Sequence, residues 1–329
     1  MNTSGTSSDG SHHSALLVGL AFAAIYVIWG STYLAIRMVV ESMPAFFSAG
    51  VRFVIAGALL FAFLRLRGVA LPSPAQWKHA FVTGTLLLLG GNGLVVWAER
   101  SLSSGRAALL VALAPVWFAT LEWLRPAGKR PESKTVIGII VGLFGVLTLV
   151  GGRNGAPSQE NTLSGALAVI VAGISWASGS LYNKHSHAGG SHWMNAAAQM
   201  LCGGAALLVV GSLLGEPFHT EWSGITVRST LALIYLVIFG SWIGFSAYVW
   251  LLKVSTPGKV STYAYVNPVI AVFLGWAVLH ESVTTQMLWG ALVILVGVII
   301  ITVPQSFFSV VANRSTGPLN VPSVGRSSD

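Results

Sequence analysis

Apolar residues in this chain come in ten long runs separated by short polar turns. The runs cover approximately 15–37, 45–66, 76–98, 104–124, 134–150, 163–183, 192–213, 229–252, 257–279 and 283–304. Each is roughly 17–25 residues long, enough for a helix to cross the hydrocarbon core of a bilayer. Connections are short apart from 151–162, GGRNGAPSQENT, a polar, glycine-rich stretch at the middle of the chain. The pattern predicts an all-α membrane protein of ten transmembrane helices.

One run departs from the pattern. Between Pro257 and Glu281 the apolar residues are interrupted by Tyr263, Tyr265, Asn267 and Pro268. A plain lipid-facing span has no use for polar side chains at its centre, nor for a proline that removes a backbone hydrogen bond. The freed carbonyl must find a partner in protein or in a water-lined cavity, because lipid offers none.

Composition narrows the class. The chain is 54% hydrophobic and 9% charged, whereas soluble domains carry about a quarter charged residues. The net charge of +8 sits at the ends of the runs, so it reads as a topology signal and does not imply nucleic acid. The single Cys202 allows neither an intrachain disulfide nor a thiolate metal cage. The first run has no basic stretch ahead of it and no small-residue cleavage site after it, the marks of a retained span.

Basic residues orient the bundle. With the N-terminus in the cytoplasm, inside loops and tail collect twelve Lys and Arg, including Arg65, Lys78, Arg125, Lys184, Lys253 and Lys259. The outside loops then hold five, Arg37, Arg100, Arg106, Arg153 and Arg228. This positive-inside bias places both termini in the cytoplasm.

The two halves repeat. Trp29 falls on Trp176 and Gly57 on Gly204 at an offset of 147; Gly91 falls on Gly244, Trp97 on Trp250 and Pro115 on Pro268 at an offset of 153. Gly138 and Gly145 fall near Gly290 and Gly297, seven apart in each half. Five helices per repeat turn the second copy over in the membrane, giving two inverted five-helix repeats around a central cavity. The expected division is a disordered cytoplasmic tail (1–14), a first repeat (15–150), a periplasmic linker (151–162), a second repeat (163–304) and a cytoplasmic tail (305–329).

The run AYVNPVIAVFLGWAVLHE (Ala264–Glu281), with IWGSTYLAIR (Ile28–Arg37) and AGVRF (Ala49–Phe53), resembles the signature of the EamA type of the drug/metabolite transporter superfamily. The resemblance extends from Ala15 to about Pro304. It implies a bacterial inner-membrane exporter of small metabolites, most similar to exporters of amino acids, aromatic ones among them. Gly128 stands in the first half where Glu281 stands in the second, so no symmetric acidic pair is expected.

Candidate substrate contacts follow from residue type and depth. Trp29 and Trp176 lie well inside their runs and either wall a cavity or pack as core. Tyr33, Trp97 and Trp242 join them as further ring contacts. Asn92 interrupts the Gly90–Gly93 run, as a substrate contact or an interhelical hydrogen bond. Tyr263 and Asn267 are four apart and share a helical face; Asn267 reads either as a donor–acceptor for a zwitterion or as a bond to a neighbouring helix. Pro115 and Pro268 mark structural kinks. Arg52 is the one basic side chain far from a run's end, either gating or binding a carboxylate, or snorkelling to the interface. Glu99, Glu122 and Glu281 sit at run ends, read either as interfacial ion pairs with Arg106, Arg125 or Lys259, or as proton carriers, which would need a raised pKa in a low-dielectric place. Facilitated export and proton exchange both stay open.

The expected partners are a small-molecule substrate and the bilayer, with no cofactor, a monomer sufficing for function. No phosphate-binding loop occurs, which leaves ATP-driven transport without a motif. The His-rich loop 184–192 lacks a carboxylate or thiol to complete a metal site. An intramembrane enzyme would need buried acid, base or metal ligands, and a channel a filter or subunit ring; neither pattern is present.

Overall fold

The computed structural model describes residues 15–125, 132–150, 159–186 and 189–302. The expected tails, and most of the expected linker, lie outside them. Ten main helices follow one another: α1 (Ala15–Val40), α2 (Ala45–Leu66), α3 (Pro74–Ala98), α4 (Ser104–Leu124), α5 (Ser133–Val150), α6 (Gln159–His185), α7 (His192–Leu213), α8 (Val227–Val254), α9 (Tyr263–Leu279) and α10 (Thr285–Thr302). Seven are long and apolar enough to cross a membrane, and three shorter apolar helices complete the set. The protein is an all-helical membrane protein. Its outward residues agree, with Ile137, Phe144, Leu288 and Trp289 exposed on α5 and α10.

Local chemistry sets the boundaries. Ser73 opens α3 with a capping box: its Oγ accepts from the Gln76 backbone N–H while the Gln76 side chain accepts from Ser73 N–H. Pro74 fills the first helical position, where a missing N–H costs nothing. Ser103, Ser191 and Thr226 cap α4, α7 and α8 in the same way. Helix α6 starts at Gln159, inside the stretch expected as linker.

The prolines act differently in the two halves. In α4 the helix breaks at Ala112 and Leu113, and Pro115 opens the second piece. In α9, Pro268 lies within a continuous helix. The break comes earlier, at Ser261 and Thr262, after the one-turn helix Pro257–Val260.

Helices related by the repeat offsets pack against each other in antiparallel pairs. A Cβ on Gly57 would stand 2.9 Å from Met200 Cβ, and one on Gly50 2.8 Å from Leu208 N, so α2 and α7 run in opposite directions at backbone contact. A Cβ on Gly138 would meet the Gly297 carbonyl at 2.6 Å, and one on Gly145 the Ile294 N at 2.7 Å, which pairs α5 with α10 likewise.

The remaining helices enclose the centre, where three of them loosen. Ala24–Ile28 of α1, Thr85–Gly93 of α3 and Leu236–Phe245 of α8 are π-helical. The last two are repeat-related. Wider turns free carbonyls for side chains: Trp29 Nε1 donates to the Gly240 carbonyl at 3.1 Å, and Ser175 Oγ to the Leu86 carbonyl at 2.8 Å. Each bond joins the first helix of one half to the third helix of the other.

Candidate functional site

A cavity of about 700 Å³, counting its open mouth, lies at the centre. Its wall takes Trp29, Thr32, Tyr33 and Ile36 from α1, Arg52 and Phe53 from α2, and Leu88, Gly91, Asn92 and Val95 from α3. Val111 and Ala114 of α4, Ala172, Gly173 and Trp176 of α6, Gly240 and Phe245 of α8, and Tyr263 of α9 complete it. Helices α5, α7 and α10 contribute none of these residues.

Four rings pack into one cluster, three of them, Trp29, Trp176 and Tyr263, on the cavity wall. Trp29 meets Trp176 edge-on at 5.5 Å and 80°, Tyr263 edge-on at 5.4 Å and 84°, and Tyr248 at 5.0 Å. Such tilted contacts place the positive edge of one ring on the negative face of the next. Hydrogen bonds hold them: Trp176 Nε1 donates to Tyr248 Oη at 2.9 Å, and that oxygen lies 2.6 Å from Ser180 Oγ. Tyr248 is fully buried and carried no sequence signal, because its role depends on partners 68 and 72 residues away.

Polar groups stand on the walls beyond the rings. Arg52 is 3% exposed, so it does not snorkel. Its Nε donates to Ser241 Oγ at 2.7 Å and its guanidinium carbon lies 4.6 Å from the Phe53 ring centroid. Nη1 is buried with no hydrogen-bond partner among the described residues. Asn92 Oδ1 is buried and unpartnered in the same sense. The site thus offers a cationic donor and a neutral acceptor above an aromatic floor, a combination suited to a small molecule with a carboxylate, an amine and an apolar body.

Three of the expected contact residues lie off the cavity. Asn267 is 2% exposed, and in the amide orientation that satisfies both ends its nitrogen donates to the carbonyls of Tyr26 (2.9 Å) and Tyr263 (3.2 Å). It ties α9 to α1, because the helical face it shares with Tyr263 is wide enough to meet two neighbours. Trp97 and Trp242 are partly buried against the apolar core, outside the cavity wall.

The acids at the helix ends diverge. Glu122 pairs with Arg125 at 2.7 Å. Among the described residues Glu281 makes no ion pair; its oxygens accept from Ser104 N (2.9 Å), Ser104 Oγ (2.8 Å) and Gly105 N (3.4 Å). Carboxylate oxygens match the free N–H groups of the first turn of α4. At the other end of the bundle, Lys184 Nζ donates to the Ser255 carbonyl (2.8 Å) and Lys253 Nζ to the Asn183 carbonyl (2.5 Å), tying α6 to α8.

A bundle of apolar helices around a partly polar central cavity is an architecture suited to moving small molecules across a membrane. The sequence pattern of the EamA-like transporter family matches residues 16–151 and 163–303, once per half, and the chain belongs to that family. It is 39% identical over 290 residues to the uncharacterized inner membrane transporter YedA of Escherichia coli K12, covering 88% of this chain and 91% of that one. A probable amino-acid metabolite efflux pump of the same strain is 26% identical over 299 residues, covering 86% and 93%. A crystal structure at 20% identity superposes with a TM-score of 0.63 over 91% of this chain and 99% of that chain, a likeness of fold. The protein is thus an inner-membrane, multi-pass transporter and not an enzyme.

Proposed function

We propose that the protein exports amino acids, or metabolites that share their zwitterionic head, by alternating access through the central cavity. The observation that carries this reading is the pair of unpartnered polar atoms on one apolar chamber, Arg52 Nη1 and Asn92 Oδ1. Buried polar atoms without partners are costly. A carboxylate on Arg52 and an ammonium on Asn92 relieve both, while Trp29, Trp176 and Tyr263 contact the side chain. The 26% identical relative, named a probable amino-acid metabolite efflux pump, supports both substrate class and direction.

Alternating access follows from treating the two halves as inverted repeats, which the antiparallel pairing of α2 with α7 and of α5 with α10 supports. The charge bias supports an orientation with the Glu99 and Glu281 end of the bundle outside and both termini inside. The cavity residues among the described ones all come from one chain, which supports function as a monomer. Radiolabelled amino-acid flux in proteoliposomes tests the proposal. Saturable flux that an excess of unlabelled substrate competes away is the expected result. Folded, inserted protein that moves no amino acid overturns it.

A further inference from the structure

One buried acid has no part in the cavity wall. Glu99 follows the last turn of α3 and is 0% exposed, and neither carboxylate oxygen has a hydrogen-bond partner among the described residues. Its backbone carbonyl accepts from Arg37 Nη1, which fixes the residue without answering its side chain. An ionised carboxylate removed from water with no donor is strongly disfavoured, and a bound proton removes that penalty.

The charged and titratable groups facing Glu99 are Tyr33 and Arg37 from α1, Arg52 from α2 and Glu281 from the turn after α9. Arg37 turns its Nη1 to the Glu99 backbone carbonyl. Glu281 has its oxygens engaged by Ser104 and Gly105. Tyr33 and Arg52 both line the cavity and lie within electrostatic range of Glu99, and of the two Arg52 is the cation that an anionic ligand would meet. Burial, reinforced by the charge of Glu281 and opposed by Arg37 and Arg52, holds the Glu99 carboxyl well above the usual carboxylate range.

We propose that Glu99 is a proton-binding site linked to the substrate cavity through Arg52, so that an anionic group arriving on Arg52 is accompanied by a proton arriving from water on Glu99. The step is an addition without bond exchange: one solvent proton joins one carboxylate oxygen, and leaves it when the anion departs. The Arg52 charge helps Glu99 to ionise while the cavity is empty. A substrate carboxylate on Arg52 cancels that help and adds a negative charge nearby, so the proton affinity of Glu99 rises. Linkage is reciprocal, and protonation of Glu99 tightens binding of the carboxylate.

This inference rests on the amino-acid reading of the cavity. The sign is fixed: the bound state holds the proton more tightly, so affinity falls as pH rises through the range where empty protein loses it. For one linked proton the fall is at most about tenfold per pH unit. The test is calorimetric titration of the detergent-purified full chain with L-phenylalanine, over roughly pH 5 to 9, in buffers of different ionisation enthalpy. Phenylalaninamide, which keeps the ring and amine but lacks the carboxylate, serves as control.

At about pH 5 to 6, where both ligands already carry a protonated amine, wild-type protein is expected to take up as much as one proton with L-phenylalanine and none with the amide. E99Q is expected to bind L-phenylalanine with no proton uptake and with no pH dependence in this range. The comparison between the two ligands needs no variant, so it stands even where E99Q does not fold. Binding of L-phenylalanine without proton uptake overturns the linkage and leaves the amino-acid reading intact. The same uptake in E99Q places the proton elsewhere and also overturns it. Failure of L-phenylalanine to bind at any pH removes both readings together.

Discussion

Trp29 rests on Gly244, where a Cβ would stand 2.5 Å from the indole nitrogen. The repeat-related contact is present as well: a Cβ on Gly91 would stand 2.7 Å from Trp176 Cε3. Each half therefore lends its tryptophan to the other half's glycine. The four residues that align between the halves also meet across the cavity.

Those contacts make Gly244→Ala a sharp test. A methyl group at 2.5 Å from Nε1 forces the indole to move, and overpacking of this kind costs ~1–3 kcal/mol. The shift also breaks the Trp29 bond to the Gly240 carbonyl. We expect a lowered melting temperature and a narrowed cavity, with flux of bulky amino acids reduced more than flux of alanine or glycine. Unchanged flux ratios across substrates would show that the wall yields at no cost to the site.

Truncating the rings themselves has the opposite geometric effect. Trp29→Ala or Trp176→Ala opens the floor and removes the face on which an apolar side chain rests. Transport of phenylalanine or leucine is expected to weaken by roughly tenfold, about 1.4 kcal/mol of contact. Small polar substrates should weaken less. Equal loss for both types in a substrate-concentration series would mean that the rings only hold the fold.

Much of this architecture can be read from the sequence, and the reasons are physical. Spans of α2, α4 and α7 are legible because hydrocarbon thickness sets a minimum apolar length and a polar turn ends each run. The alignment of Gly57 with Gly204 is legible because a small residue lets two helix backbones touch, Gly57 at Met200 and Leu201 and Gly204 at Gly50 and Val54. Trp29, Tyr33, Asn92, Trp176, Tyr263 and Arg52 are legible as candidates because a polar or large aromatic residue deep in an apolar run needs a reason to be there.

Other features depend on the third dimension. Asn267 shares a helical face with Tyr263, yet rotation by a fraction of a turn delivers it to the Tyr26 carbonyl instead of the cavity. Tyr248 looks like one more ring in α8 until Trp176 and Ser180 are seen to converge on its hydroxyl. Glu99 stands at the end of a run, where a carboxylate ordinarily meets water. Only the packing of α1 and the turn after α9 around it shows that water is excluded.

Arg52 separates substrate recognition from structural support. Its Nε bond to Ser241 joins α2 to α8, while Nη1 has no hydrogen-bond partner among the described residues. Arg52→Gln is expected to lower affinity for amino acids by roughly 10–100-fold, corresponding to the ~1.5–3 kcal/mol of a hydrogen bond to a charged group. Amino-acid amides, which present no carboxylate, should lose far less. A competition assay against labelled substrate reads both. Parallel losses for acids and amides would assign Arg52 to holding α2 against α8 alone.

Glu281 tests the end of the bundle opposite the lysine closure. Its three accepted hydrogen bonds pin the turn after α9 onto the first turn of α4, joining the two halves at one face. A Cβ on Gly275 would stand 2.4 Å from Glu281 Oε2, so the carboxylate is also fitted tightly against α9. Glu281→Gln keeps the shape but replaces one acceptor oxygen with a donor that faces N–H groups. The expected cost is ~1–3 kcal/mol, the price of leaving a buried donor unmet, read as a lower melting temperature in detergent. If the contact closes this face, a single cysteine placed at Ser104 in a Cys202→Ser background should label faster with a membrane-impermeant maleimide in the Glu281→Gln variant. Equal labelling rates with an equal loss of stability would make the contact a brace for α4 that plays no part in opening.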